Sequence, residues 1–172
     1  CCLETVKSQF RVSMDMVPSF VYKSGLVVDG ADGRQMTLDI CYGGIFYALV
    51  DAEQIELDIS SANASMLSDA GMALRDRLNA VHEVVHPSIP EISGVAYVMF
   101  YQRLSPDAFR TATVMFPGRL DRSPCGTGSS ALLAALHSRG QIAKGDSITT
   151  HSVIGSRFQV TLSGVTEVDG QQ

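Results

Sequence analysis

Tryptophan is absent from this 172-residue chain, and only 18% of its residues are charged. Positive charge is scarce too, with thirteen lysines and arginines against eighteen acids and a formal net charge of −5. A surface short of cations is a poor match for a phosphate backbone, so nucleic acid is not an expected partner. Cysteine occurs four times, at Cys1, Cys2, Cys41 and Cys125, without a CxxC pair or a histidine spacing suited to zinc. No metal site is therefore expected, nor a disulfide scaffold in a chain of this size. No apolar run approaches the roughly 20 residues that span a bilayer, so no membrane partner is expected. The hydrophobic content, 45%, is ample for a packed core and argues against a disordered chain. These features describe one domain or one lobe, expected to be soluble and cytoplasmic.

Period-two patterning dominates the first half. Phe10 to Met16 alternates as a half-buried strand does, Pro18 interrupts it, and Ser19 to Tyr22 resumes an extended pattern. Gly25 to Asp29, the turn residues Asp29 to Gly33, and Gln35 to Ile40 read as a hairpin, followed by Gly43-Gly44 and the apolar run Ile45 to Val50. Together they predict an antiparallel meander. From about Ser60 to His82 the period becomes helical, with Ser60, Ser61 or Asn63 as N-cap. Strands are predicted at Val95 to Gln102 and Thr111 to Phe116, and a short apolar helix at Ser129 to Ser138, closed by Gly140. Closing strands are predicted at Ser152 to Phe158 and Gln159 to Val168. The predicted class is α+β, mostly antiparallel strands around two helices.

The stretch Asp121-Arg122-Ser123-Pro124-Cys125-Gly126-Thr127-Gly128-Ser129-Ser130 carries the most chemistry. It places a thiol in a glycine-flanked turn at a helix start, where a thiolate is favoured and unpaired amides can hold an anion. Gly126 and Gly128 admit a ligand close to the backbone, and the amides of Gly126, Thr127 and Gly128 form a concavity suited to a carboxylate. Asp121 can hold an ammonium. An amino acid so bound would present its Cα–H to Cys125, and donors aimed at the carboxylate would stabilise the charge that develops when that proton leaves. Inversion then needs two acid–base groups, one per face, and no cofactor.

The ten-residue string resembles the second cysteine motif of the proline racemase family. Asp39-Ile40-Cys41-Tyr42-Gly43-Gly44 looks like a further family segment, with Cys41 where alanine is common. Val17-Pro18-Ser19-Phe20, His86-Pro87 and Ser152 to Phe158 also correspond. The resemblance implies one lobe of a diaminopimelate-epimerase-like fold, whose active site lies in a cleft between two similar lobes. It implies Cys125 as one acid–base residue, Asp121 as the contact to the substrate amine, and Gly126 and Thr127 as the carboxylate holders. The first-lobe motif Met-Cys-Gly-His is absent, so residues 1–172 are expected to be the second lobe alone, with the first lobe and the final strands missing.

The implied activity is cofactor-independent racemisation or epimerisation of proline or hydroxyproline by two-base Cα proton transfer. Two alternatives stay open. Ile45 stands where racemases and epimerases often carry Asn, and Ile45 to Ala52 looks at least as much like the trans-3-hydroxyproline dehydratases. A carboxylate-binding or inactive fragment is the other. The expected partners are the small cyclic substrate, the missing lobe and a second copy in a homodimer. Cys41 and Met14, Met16, Met66, Met72 and Met99 are expected in the core. Asp15 and Asp39 are expected on solvent-facing positions, with Asp39 otherwise bracing the Gly43-Gly44 turn.

Overall fold

The computed structural model describes residues 1–6, 9–30 and 33–166. Ten strands are described: β1 (Cys2–Val6), β2 (Gln9–Ser13), β3 (Phe20–Asp29), β4 (Gln35–Tyr42), β5 (Phe46–Asp51), β6 (Tyr97–Ser105), β7 (Ala108–Met115), β8 (Arg119–Leu120), β9 (Ser147–His151) and β10 (Arg157–Thr161). Two α-helices accompany them, α1 (Ala64–Val81) and α2 (Gly126–Ser138). The α+β class and the largely antiparallel sheet agree with the sequence reading.

β1 and β2 form a separate antiparallel pair. The other eight strands make one sheet in the order β10-β9-β7-β6-β5-β4-β3, with β8 also on β7. The β3-β4-β5 meander is present, but β5 runs parallel to β6 and β7 parallel to β9. Parallel neighbours need a crossover, and α1 and α2 supply the two. Both strands at the ends of the order, β3 and β10, touch α2, as do β4 and β5. The sheet therefore curls round α2 and leaves α1 on its outer face, against β6, β7 and β8.

Alternation along each strand divides the core between the two faces. Phe46, Ala48 and Val50 of β5 join Ile40, Val98, Phe100, Ala112 and Val114 beneath α1. Tyr47 and Leu49 turn the other way, with Cys41, Met99 and Phe109, onto α2. Every α2 residue from Gly128 to Leu136 is buried, which explains a sequence apolar all round rather than striped.

Several expectations are corrected. Asp39 is 3% exposed rather than solvent-facing. Asp39 does point away from Ile40, but α2 covers that face, and Asp39 pairs there with Arg139 while accepting the Gly25 N–H at 2.9 Å. Met99 is buried and Met72 packs at the core edge, whereas Met14, Met16 and Met66 are exposed. The alternating segment is a strand only to Ser13, and it pairs with β1 apart from the main sheet. The predicted closing strand Ser152 to Phe158 is not one: β9 is already complete at His151, and Arg157 begins β10. Ser152 to Ser156 is a turn closed by the Ser152 and Ser156 hydroxyls, 2.7 Å apart. The second closing strand ends at Thr161; residues 167–172 lie outside the described residues. Asn63 occupies the α1 N-cap but makes no capping bond; its side chain donates to the Asp58 carbonyl instead.

Candidate active site

The partner edge of β7 is shared by two strands. β9 pairs with Ala108 to Arg110, and β8 pairs with Val114 and Met115. The backbone between them, Thr111 to Thr113, is where the cysteine loop docks. The Asp121 N–H donates to the Thr113 carbonyl at 2.8 Å, and the Thr111 hydroxyl donates to the Pro124 carbonyl at 3.3 Å. The Ser129 hydroxyl donates to the same carbonyl at 3.1 Å and lies 3.0 Å from the Thr150 hydroxyl. Within the loop, the Asp121 carboxylate accepts the Ser123 N–H at 2.8 Å, and the Ser123 hydroxyl accepts the Cys125 N–H at 3.1 Å.

These contacts hold Cys125 at φ 63°, ψ 103°, a positive φ uncommon for a residue with a Cβ. Such backbone costs on the order of 1–3 kcal/mol and persists only where the surroundings over-determine it. Cys125 is the N-cap of α2, and its carbonyl accepts the first helical bond from Ser129 N–H at 2.8 Å. Its side chain makes no capping bond, so the amides of Gly126, Thr127 and Gly128 have no intrahelical partner.

Cys125 is 7% exposed, and its sulfur faces a residue that sequence reasoning missed. The Tyr47 hydroxyl lies 3.3 Å from Sγ and 2.6 Å from the Thr127 hydroxyl, while Sγ and the Thr127 hydroxyl are 3.7 Å apart. Three polar side chains thus form a triangle beside the apolar cluster of Cys41, Leu49 and Met99. Burial, then the neighbouring Cys125 sulfur, push the Tyr47 phenol well above its usual range, against a smaller opposing effect of the Thr127 hydrogen bond. The phenol keeps its proton. The available signal was a lone hydroxyl-bearing ring inside the apolar run Ile45 to Val50, in phase with Cys41 and Leu49.

Two glycines explain how α2 comes so close. A Cβ at Gly43 would overlap the Thr127 carbonyl oxygen, and one at Gly128 would overlap the Met99 side chain and lie 3.2 Å from both Sγ and the Tyr47 ring. A Cβ at Gly126 would meet only the Met16 methyl, at 3.9 Å, so this position is open toward the exposed segment before β3.

The other site residues fall as follows. Asp121 is half-buried and already braces the loop through one carboxylate oxygen. Gly126 and Thr127 lie beside Cys125 in the first helical turn. Cys41 is fully buried, and burial, then the nearby Asp39 charge, raise its thiol well above the usual range despite Arg139; it is a core thiol. His86 is also structural: its Nδ1 accepts the N–H groups of Ser88 and Ile89, and its ring packs on Phe20 and Tyr42. Among the described residues no group of three or more His, Cys, Asp or Glu side chains could hold a metal ion, and no helix is long and apolar enough to cross a membrane.

A family model described as proline racemase matches residues 3–172. The chain belongs to the proline racemase family. It is 54% identical over 161 residues to a 4-hydroxyproline 2-epimerase of Agrobacterium fabrum, covering 94% of this chain and 47% of that protein. It is 37% identical over 160 residues to the proline racemase of Clostridioides difficile, covering 92% and 48%. The crystal structure of a hydroxyproline epimerase from Agrobacterium vitis with bound trans-4-hydroxy-L-proline superposes with a TM-score of 0.87 at 52% identity, over 90% of this chain and 45% of that one. The chain spans about half the length of the curated relatives it matches. Its fold is one lobe of the diaminopimelate-epimerase-like architecture those structures share.

Proposed function

We propose that the chain is the Cys125-bearing half of a two-lobe isomerase that inverts Cα of 4-hydroxyproline or proline. The observation that carries this reading is Cys125 itself: a thiol held in strained backbone at the N-terminus of a buried helix, beside amides with no helical partner. The family membership and the greater similarity to the 4-hydroxyproline 2-epimerase than to the proline racemase favour the hydroxylated substrate.

The substrate carboxylate sits on the first-turn amides, with the Thr127 hydroxyl as a further donor, and the ring ammonium lies toward Asp121. As the thiolate of Cys125 takes the Cα proton, negative charge moves onto the carboxylate oxygens, where those donors stabilise it. An acid on the opposite lobe returns a proton to the other face, completing inversion; the reverse reaction exchanges the two roles. The half-chain holds one acid–base group and so turns over negligibly alone.

The test uses the complete enzyme in deuterium oxide. Cys125→Ser should abolish incorporation of solvent deuterium at Cα of 4-hydroxyproline, with the fold intact by circular dichroism. Undiminished exchange in that variant rejects the assignment. Trans-3-hydroxyproline, supplied separately, distinguishes epimer formation from loss of water.

A further inference from the structure

The Tyr47 hydroxyl bridges two groups to which the proposed reaction gives different tasks. Cys125 alternates between thiolate and thiol, and Thr127 donates to the substrate carboxylate. We propose that Tyr47 is a positioning residue that reverses its hydrogen bonds as Cys125 gains or loses a proton, coupling the sulfur's state to the direction in which the Thr127 hydroxyl points. This inference rests on the proposed function for its substrate, but its hydrogen-bond switch stands on the geometry alone.

Proton counting gives two arrangements. Oη carries one proton and accepts through its lone pairs, and the same holds for the Thr127 hydroxyl. When Cys125 is a thiol, S–H donates to Oη, the phenol donates to Thr127 Oγ1 across 2.6 Å, and the Thr127 proton is released toward the substrate. When Cys125 is a thiolate, the sulfur accepts only, so the phenol must turn its proton onto Sγ across 3.3 Å. Oη then offers its lone pairs to the Thr127 hydroxyl, which donates inward. The direct Sγ to Thr127 contact, 3.7 Å, is the longest side of the triangle, so the tighter path runs through Tyr47 at 3.3 and 2.6 Å. The two states differ by the one proton that Cys125 exchanges with Cα; Tyr47 and Thr127 each keep their own proton and only rotate it.

The location suits a fixed pivot. Tyr47 is fully buried, its ring meets Tyr97 edge-on at 5.8 Å, and it stands on the interior strand β5 between β4 and β6. Because the phenol retains its proton through the working range, it always has one to direct. Tyr97 on β6 faces the Tyr47 ring; Asp121 and Arg122 belong to the same loop as Cys125, Asp15 directly precedes the Met16 that approaches Gly126, and the first turn of α2 carries no charged side chain.

The test follows Cys125 alkylation by iodoacetamide against pH, read on its own peptide by mass spectrometry, in the complete enzyme carrying Tyr47→Phe. Loss of the donor to the thiolate should move the alkylation midpoint up by about one pH unit, which is about tenfold slower labelling below the midpoint. Thr127→Val frees the phenol for the sulfur, so the midpoint should stay or fall while KM rises. A Tyr47→Phe protein that is folded by circular dichroism and keeps the parental midpoint overturns the proposal. Should Tyr47→Phe not fold, 3-fluorotyrosine at position 47 keeps the ring shape and strengthens the donor; the midpoint should fall, and an unmoved midpoint refutes the switch. Alkylation needs no turnover, so failure of the Cys125→Ser exchange test would leave this result readable on its own.

Discussion

Gly43→Ala is the substitution for which the structure makes the sharpest demand. The added methyl group would overlap the Thr127 carbonyl oxygen and lie 3.0 Å from the Ala131 amide nitrogen and 3.1 Å from the Thr127 carbonyl carbon. All three are backbone atoms of α2, so no side chain can rotate out of the way. Restoring ordinary contact distances requires the start of α2 to move by roughly 1 Å. Overpacking of this kind costs about 1–3 kcal/mol. The functional cost should be larger, because Cys125, Gly126 and Thr127 ride on the displaced turn. A 1 Å misplacement can cost on the order of 100-fold in rate. Gly71→Ala is the matched comparison: its methyl group would reach Val114 at 2.7 to 3.0 Å, beneath α1 on the opposite face. Both variants should melt lower by a similar margin. Gly43→Ala alone should depress Cα deuterium exchange in the complete enzyme, by about 100-fold, and alter the Cys125 alkylation profile. Equal exchange in the two variants would refute the idea that the Gly43 contact sets the position of the cysteine turn.

Gly126→Ala should leave stability near parental, since its nearest neighbour is the Met16 methyl at 3.9 Å, yet raise KM by placing a methyl where the substrate approaches; steady-state kinetics beside a melting curve check both. Cys125→Gly should be more stable than Cys125→Ala by about 1 kcal/mol in urea titrations, because glycine adopts a φ of 63° without the Cβ penalty. Stability should fall in alkali. Cys41 and Tyr47 hold their protons in the folded chain, whereas the unfolded chain releases them near pH 8.5 and pH 10 respectively. Their protonated packing is therefore fully present below about pH 8.5 and is lost as pH rises, at about 1.4 kcal/mol per pH unit for each group. Cys41→Ala should move the onset of that loss toward pH 10 in urea midpoints measured across the range.

The cysteine loop was legible because its signals are local. Asp121, Ser123, Cys125 and the two glycines that follow carry turn chemistry and a helix start within eight residues, although the helix begins at Gly126, before the predicted Ser129. The β3-β4-β5 meander was legible for the same reason, since its hairpin residues and alternation are contiguous. Tyr47 was not, because its partners, Cys125 and Thr127, lie 78 and 80 residues further along the chain. Asp39 was misjudged for a related reason. Alternation says which side chains share a face, but whether water or Arg139 meets that face depends on a helix 100 residues away.

Residue order alone determined the meander, the two helices, the family and the thiol at a helix start, since each is written in neighbouring side chains and the backbone they favour. Only the folded chain decided what stands opposite that thiol. The sheet curls until β5 and the gap along β7 meet the same helix end, and this brings a phenol, a hydroxyl and a sulfur within hydrogen-bonding reach. Contacts of that range follow from packing a covered sheet round a buried helix, and no local pattern in the sequence encodes them.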